Sequence, residues 1–248
     1  MAILPWGRSG ARFLVVALAL AMAMLESINA AVDTNPVFNP CGDTRVQVLD
    51  GFTFGLAFSS NSSFFLGRSQ LSPCDRRLSN LYSGRIAAFR PRVDEISLLT
   101  VNDTSTLNAD NGNELYMVSY AGSRFGARSK PHFVGDNEKI VTSFTLVLEF
   151  RKGRLINMLW KGNDCKSCSD GRDDFVCLKS GDCAVRLSHC RHRGGRVDCS
   201  IGITVTFSGT DKNNVVLNTW YQVAKLQQYS LYNLYSNLKS SVWSQLFF

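Results

Sequence analysis

Residues 144–160 read FTLVLEFRKGRLINMLW, and their alternation decides the fold. Phe144, Leu146, Leu148 and Phe150 fall on one side of an extended chain, with Thr145, Val147 and Glu149 on the other. Successive side chains of a strand point to opposite faces, so this period of two marks a strand covering a core on one side. Arg151-Lys152-Gly153-Arg154 interrupts the pattern, and residues 155–160 resume it. Two strand-like runs joined by a short turn containing glycine predict a β-hairpin.

The same period recurs along the chain. Phe52, Phe54, Leu56 and Phe58 alternate with Thr53, Gly55 and Ala57, and Ile201, Ile203, Val205 and Phe207 alternate with Gly202, Thr204, Thr206 and Ser208. Residues 45–48, 93–101, 115–120 and 184–189 are further candidate strands. Gly-, Asn- and Asp-rich breaks at 108–113 and 210–214 separate them. Strands with short turns and no alternating helices predict an all-β fold, an antiparallel β-sandwich of jelly-roll type. One C-terminal amphipathic helix is expected at about 227–242: Leu231, Leu234, Tyr235, Leu238 and Val242 share one side of a 3.6-residue wheel. Its polar side carries Asn233, Ser236, Asn237 and Ser240 rather than lysine or arginine, which favours a helix laid on the sheet over one docked on a membrane.

The chain opens with Arg8 and Arg12, an apolar run from Phe13 to Leu25, and small residues at Ala30 and Ala31. That order predicts a signal peptide over residues 1–30. The run is shorter than the ~20 residues of a membrane-spanning helix, so no span is expected after leader cleavage. Residues 31–248 are then one β-sandwich domain with a disulfide-rich insertion at 161–199. The formal charge is +7, of which Arg8, Arg12 and Glu26 account for +1. In an exported protein this excess favours anionic polysaccharide or acidic protein as partner and argues against nucleic acid. Asn61-Ser62-Ser63 and Asn102-Asp103-Thr104 are sequons for N-glycosylation.

Eight cysteines are present: Cys41, Cys74, Cys165, Cys168, Cys177, Cys183, Cys190 and Cys199. In a reducing compartment the Cys165-x-x-Cys168 pair with later cysteines would suggest zinc or redox chemistry. Behind a leader, disulfides are the expected state. Cys41 and Cys74, alone in the first half, are expected to pair with each other. Cys165 and Cys168 are expected to pair outward, and the remaining connectivity stays open.

Within the cysteine-rich stretch, Arg186, Arg191, Arg193 and Arg196 gather with His189 and His192, opposed nearby by Asp198. Guanidinium groups held on a rigid frame grip carboxylate or sulfate through paired hydrogen bonds, so these six are the candidate ligand-binding residues. Asp170, Asp173 and Asp174 lack the alternating spacing of a calcium loop, and no metal or other cofactor is expected. No nucleophile elbow, metalloprotease helix or phosphate-cradling loop is present. His132 follows a proline and is expected at a turn or edge. A carboxylate pair for glycoside hydrolysis would have to be drawn from Asp94, Glu95, Glu114 and Glu149. Trp160, Trp220, Tyr221, Tyr116 and Tyr120 are candidates either for a sugar-stacking face or for packing.

Residues 153–162, GRLINMLWKG, and 218–224, NTWYQVA, together with the cysteine spacing, resemble a family of uncharacterised secreted proteins of land plants. The resemblance implies an apoplastic or endomembrane location and carries no catalytic residues. The phrase TWYQVA at 219–224 also resembles one found in laminin-G-like and pentraxin-like sandwiches. The leading expectation is a secreted, non-enzymatic protein of the extracellular space or cell wall that binds acidic polysaccharide or another anionic ligand. The alternatives are an extracellular glycan-acting hydrolase and a structural partner of a wall or membrane protein, acting through the tail Trp243, Leu246, Phe247 and Phe248.

Overall fold

The computed structural model describes residues 33–79, 84–101, 114–162, 165 and 175–228. The expected signal peptide over residues 1–30, Asn102, Cys168, Asp170, Asp173, Asp174, the break at 108–113 and the residues beyond Gln228 lie outside the described residues. The chain divides into two compact units, Met1–Asp33 and Thr34–Phe248, and every strand and helix among the described residues belongs to the second.

Its strands in chain order are β1 (Phe54–Ser59), β2 (Phe65–Leu66), β3 (Ser69–Gln70), β4 (Arg85–Phe89), β5 (Ser97–Val101), β6 (Leu115–Ala121), β7 (Ala127–Arg128) and β8 (His132–Gly135). They continue with β9 (Lys139–Val141), β10 (Ser143–Arg151), β11 (Arg154–Lys161), β12 (Phe175–Cys177), β13 (Cys183–Arg186), β14 (Ile201–Thr210) and β15 (Val216–Leu217). One eight-stranded sheet runs β12-β13-β9-β8-β6-β1-β4, with β7 on β6. A five-stranded sheet runs β11-β10-β14-β15, with β5 on β14. The fold is sandwich-like, mostly antiparallel, and carries a short helix near its C-terminal end.

The hairpin read from the sequence is β10–β11. Lys152 (φ 51°) and Gly153 (φ 74°) form its turn, both in the left-handed region. Two positive φ values are what a type I′ turn requires, and its twist matches that of the flanking strands. Phe144, Leu146, Leu148 and Phe150 face the core with Ile201, Ile203, Val205 and Phe207 of β14. Phe54, Leu56, Phe58, Met117 and Val134 of the larger sheet join the same cluster. Phe52 and Phe150 meet edge to face at 5.0 Å.

Several expectations are corrected. β10 and β14 pair in parallel, from Ser143↔Gly202 to Phe150↔Gly209. Parallel neighbours need a crossover of a dozen or more residues, and the stretch between β11 and β14 supplies it. That stretch is therefore not an insertion outside the fold: β12 and β13 extend the larger sheet, and Ala184 and Val185 are fully buried in the core. Residues 45–48 form no ladder; Val46 instead accepts from the Lys212 amide and donates to the Gly153 carbonyl, each at 2.9 Å. The strand expected at 93–101 begins only at Ser97, because Asp94 turns the chain at φ 64°. The strand expected at 184–189 ends at Arg186 in a 3-10 turn, Leu187–His189.

Nor is burial one-sided throughout. On the outer face of β1 and β6, Ala57, Phe64, Val118 and Tyr120 form a second cluster, flanked by Cys41 and Cys74. Gly55 makes this possible: a Cβ there would lie 2.2 Å from the Tyr120 ring. The amphipathic helix expected at about 227–242 lies almost wholly outside the described residues, and a helix is formed by Thr219–Gln228. Asp94 Oδ1 accepts from the amides of Asn218 (2.7 Å) and Thr219 (3.1 Å) and caps its start. The TWYQVA phrase is thus helical here, and Thr219 ties it to β14 by accepting from the Phe207 amide at 2.9 Å.

Candidate functional site

The basic loop between β13 and β14 is built from its cysteines outward. Cys190 and Cys199 are bonded to each other, and both sit in the main core, 0% and 3% exposed. From that anchor the backbone doubles back. The Val197 amide donates to the His189 carbonyl and the Arg191 amide to the Val197 carbonyl, both at 2.9 Å. Arg193 and Gly195 amides both donate to the Cys190 carbonyl. Gly194 takes φ 86°, and a Cβ on Gly195 would fall 2.0 Å from the His189 oxygen. Only glycine permits so close a return of one backbone on another. At the loop's entry the Leu187 amide donates to the Glu138 carbonyl at 2.8 Å, fixing it to the end of the larger sheet.

This frame presents Arg186, Arg191, His192, Arg193 and Arg196 to solvent, while His189 is half-buried. Five of the six sequence-predicted ligand residues therefore stand exposed, Arg186 at the end of β13 and the other four within the segment closed by Cys190–Cys199. Among the described residues no ion pair neutralises any of the four arginines. Arg191 Nε donates to the Arg196 carbonyl at 3.4 Å. Asp198 is the nearest acid; burial raises its carboxyl pKa, but the Ser200 amide and the Arg191 charge outweigh this and the net shift is downward. It thus stays charged without closing on an arginine.

The cysteines follow the expected redox state: Cys41–Cys74, Cys165–Cys177 and Cys190–Cys199 are disulfides. Cys41 pairs with Cys74 as the sequence suggested, Cys165 pairs outward, and Cys183 is also bonded. Among the described residues no group of three or more His, Cys, Asp or Glu side chains is placed to hold a metal ion. No helix among them is long and apolar enough to cross a membrane.

The candidate aromatic platform does not assemble. Trp160 is half-buried and packs against Phe144 at the margin of the main core (5.9 Å), and Tyr120 is buried in the outer cluster. Tyr116 donates to Glu114 at 2.6 Å, which pushes its phenol pKa up to about 12. Trp220 lies under Lys161, 5.4 Å from the ammonium. The four carboxylates proposed for hydrolysis do not gather into a pair: Asp94 caps the helix, Glu95 faces Arg92 at 3.4 Å, Glu114 holds Tyr116, and Glu149 is half-buried in β10. His132 is on β8 with its Nε2 3.2 Å from Asp182 Oδ2, a pairing that sequence reading missed.

Fold and loop together define a disulfide-braced β-sandwich displaying an unpaired basic segment. The chain belongs to the family described as "Uncharacterised protein DDB_G0273449", whose family model matches residues 12–139 and 128–239. No curated protein and no solved structure matches it.

Proposed function

We propose that this is a secreted or lumenal binding protein that recognises acidic polysaccharide through Arg186, Arg191, Arg193 and Arg196. The observation that carries this reading is the exposure of four guanidiniums without an ion-pair partner among the described residues: Arg186 at the end of β13, and Arg191, Arg193 and Arg196 on the segment closed by the Cys190–Cys199 bond. A braced loop has surrendered its freedom before the ligand arrives, so ordering costs little on binding. Guanidiniums pair bidentately with carboxylate or sulfate, which a repeating acidic chain offers at intervals. The disulfides and the apolar leader-like start support an oxidising compartment. Asn61, exposed on the 3-10 turn Asn61–Phe64, is the described site for an N-glycan there.

Salt elution from immobilised heparin and polygalacturonate tests the reading. Wild-type protein is expected to bind at about 0.1 M salt and to elute well below 1 M, as the screening length falls from ~10 to ~3 Å. A variant with all four arginines changed to glutamine should elute at markedly lower salt. Equal elution of variant and wild type, or no retention of wild type on either matrix, would refute the proposal.

A further inference from the structure

A cleft of about 210 Å³ opens where the N-terminal segment meets the β10–β11 hairpin. Its floor is apolar, with Phe52 and Leu155 3% and 7% exposed, and its rim carries Asp43, Arg45, Phe125 and Arg154. The Arg154 guanidinium lies over the Phe125 ring, 3.8 Å from the centroid. Stacking of this kind holds the planar group in one orientation and leaves its N–H edge for a ligand.

The acid on the rim is already engaged. Asp43 Oδ1 accepts from the amides of Ser123 (3.1 Å) and Phe125 (3.2 Å), and Oδ2 from that of Arg124 (2.9 Å). Gly122, at φ 75°, permits this: a Cβ there would lie 2.7 Å from Asp43 Oδ1. Asp43 therefore holds the wall in place, and neither Arg45 nor Arg154 pairs with a carboxylate among the described residues. The cleft combines two uncompensated guanidiniums, an exposed aromatic edge and a greasy floor.

We propose that this cleft binds a small organic carboxylate with a flat apolar body. The carboxylate would be held by Arg45 and Arg154, with the body against Phe125, Phe52 and Leu155. The volume is below the ~300–1,000 Å³ of sites for drug-sized ligands, so the occupant is of single-ring size. The site is separate from the basic loop. Ile201, at the loop's exit, begins β14; the far end of that 10-residue strand is Thr210, whose carbonyl accepts the Gly153 amide beside Arg154. A strand of that length spans about 30 Å, so the two sites lie at opposite ends of it.

Calorimetric titration of the whole protein with benzoate, and with benzamide as its uncharged counterpart, tests the assignment. Benzoate should bind with a Kd on the order of 1 mM or tighter, and benzamide about tenfold more weakly. Arg45→Gln with Arg154→Gln should lose about tenfold in benzoate affinity, while the fourfold arginine variant of the basic loop should bind benzoate as wild type does. If the double variant melts early, Arg45→Gln alone decides, because Arg45 is exposed: about a threefold loss supports the site. No benzoate binding to folded wild type, equal binding of benzamide, or unchanged affinity in the arginine-to-glutamine variants of the cleft would overturn it.

Discussion

His132 Nε2 stands 3.2 Å from Asp182 Oδ2 among aromatic side chains, with Phe144 and Trp160 centred 5.6 and 5.7 Å from the imidazole. The carboxylate side chain is 3% exposed and the imidazole 20%. Trp160 Nε1 in turn donates to Ser129 Oγ at 2.8 Å, and that hydroxyl also accepts the Ser119 amide. The contact pins the start of β13 to β8 across β9, so a side chain far away in sequence fixes one edge of the larger sheet.

Burial alone would raise the Asp182 pKa, but the His132 ring, the Ser180 hydroxyl and the imidazole charge outweigh it, and the folded value is lowered. A carboxyl with a lower pKa folded than unfolded contributes stability above its unfolded value, about pH 4, and loses that contribution as pH falls through the folded value. Wild type minus Asp182→Asn, compared by chemical denaturation from pH 7 down to 2.5, should therefore shrink below about pH 4. A difference that stays constant across this range would show that Asp182 does not stabilise the fold as a charged group.

The Lys152-Gly153 turn makes a second expectation. A Cβ on Gly153 would lie 2.5 Å from the Val46 carbonyl oxygen and 2.7 Å from the Lys212 amide, at φ 74°. Gly153→Ala should cost roughly 2–4 kcal/mol, from the left-handed backbone and the displaced chain together. Lys152→Asn, at φ 51°, should gain up to about 1 kcal/mol, since asparagine tolerates that conformation. Urea midpoints at unchanged slope measure both; a wild-type midpoint for Gly153→Ala would contradict the turn geometry.

Strands were legible where alternate residues face the main core. At Phe144–Phe150 and Ile201–Phe207 the period of two named both the strand and its core-facing side, although Thr145, Val147 and Thr206 on the other side are buried as well. Gly55 and Tyr120 were harder, because a glycine under a ring gives no hydrophobic signal although the ring above it closes a second cluster. The parallel β10–β14 pairing left no local mark, since it depends on where a long crossover returns. The arginine loop was legible as composition, and its exposure follows from the short Cys190–Cys199 closure. By contrast, the Asp182 partner of His132 and the meeting of Arg45 with Arg154 are products of tertiary packing, which spacing along the chain does not encode.

The disulfides separate stability from binding. Cys41 and Cys74 close a separation of 33 residues and flank the outer cluster. Cys190 and Cys199 close only 9. In the chain-entropy model, losing the first should cost about 4 kcal/mol and losing the second about 2.5 kcal/mol. The order should reverse for ligand retention. Cys190→Ala with Cys199→Ala frees the segment that carries Arg191, Arg193 and Arg196, so polysaccharide must then order it on binding. That variant should elute from heparin at lower salt than wild type, while Cys41→Ala with Cys74→Ala, although less stable, should elute with wild type when both are folded. Elution of the Cys190/Cys199 variant at the wild-type position would mean that the arginines act without their brace, and that charge alone governs retention.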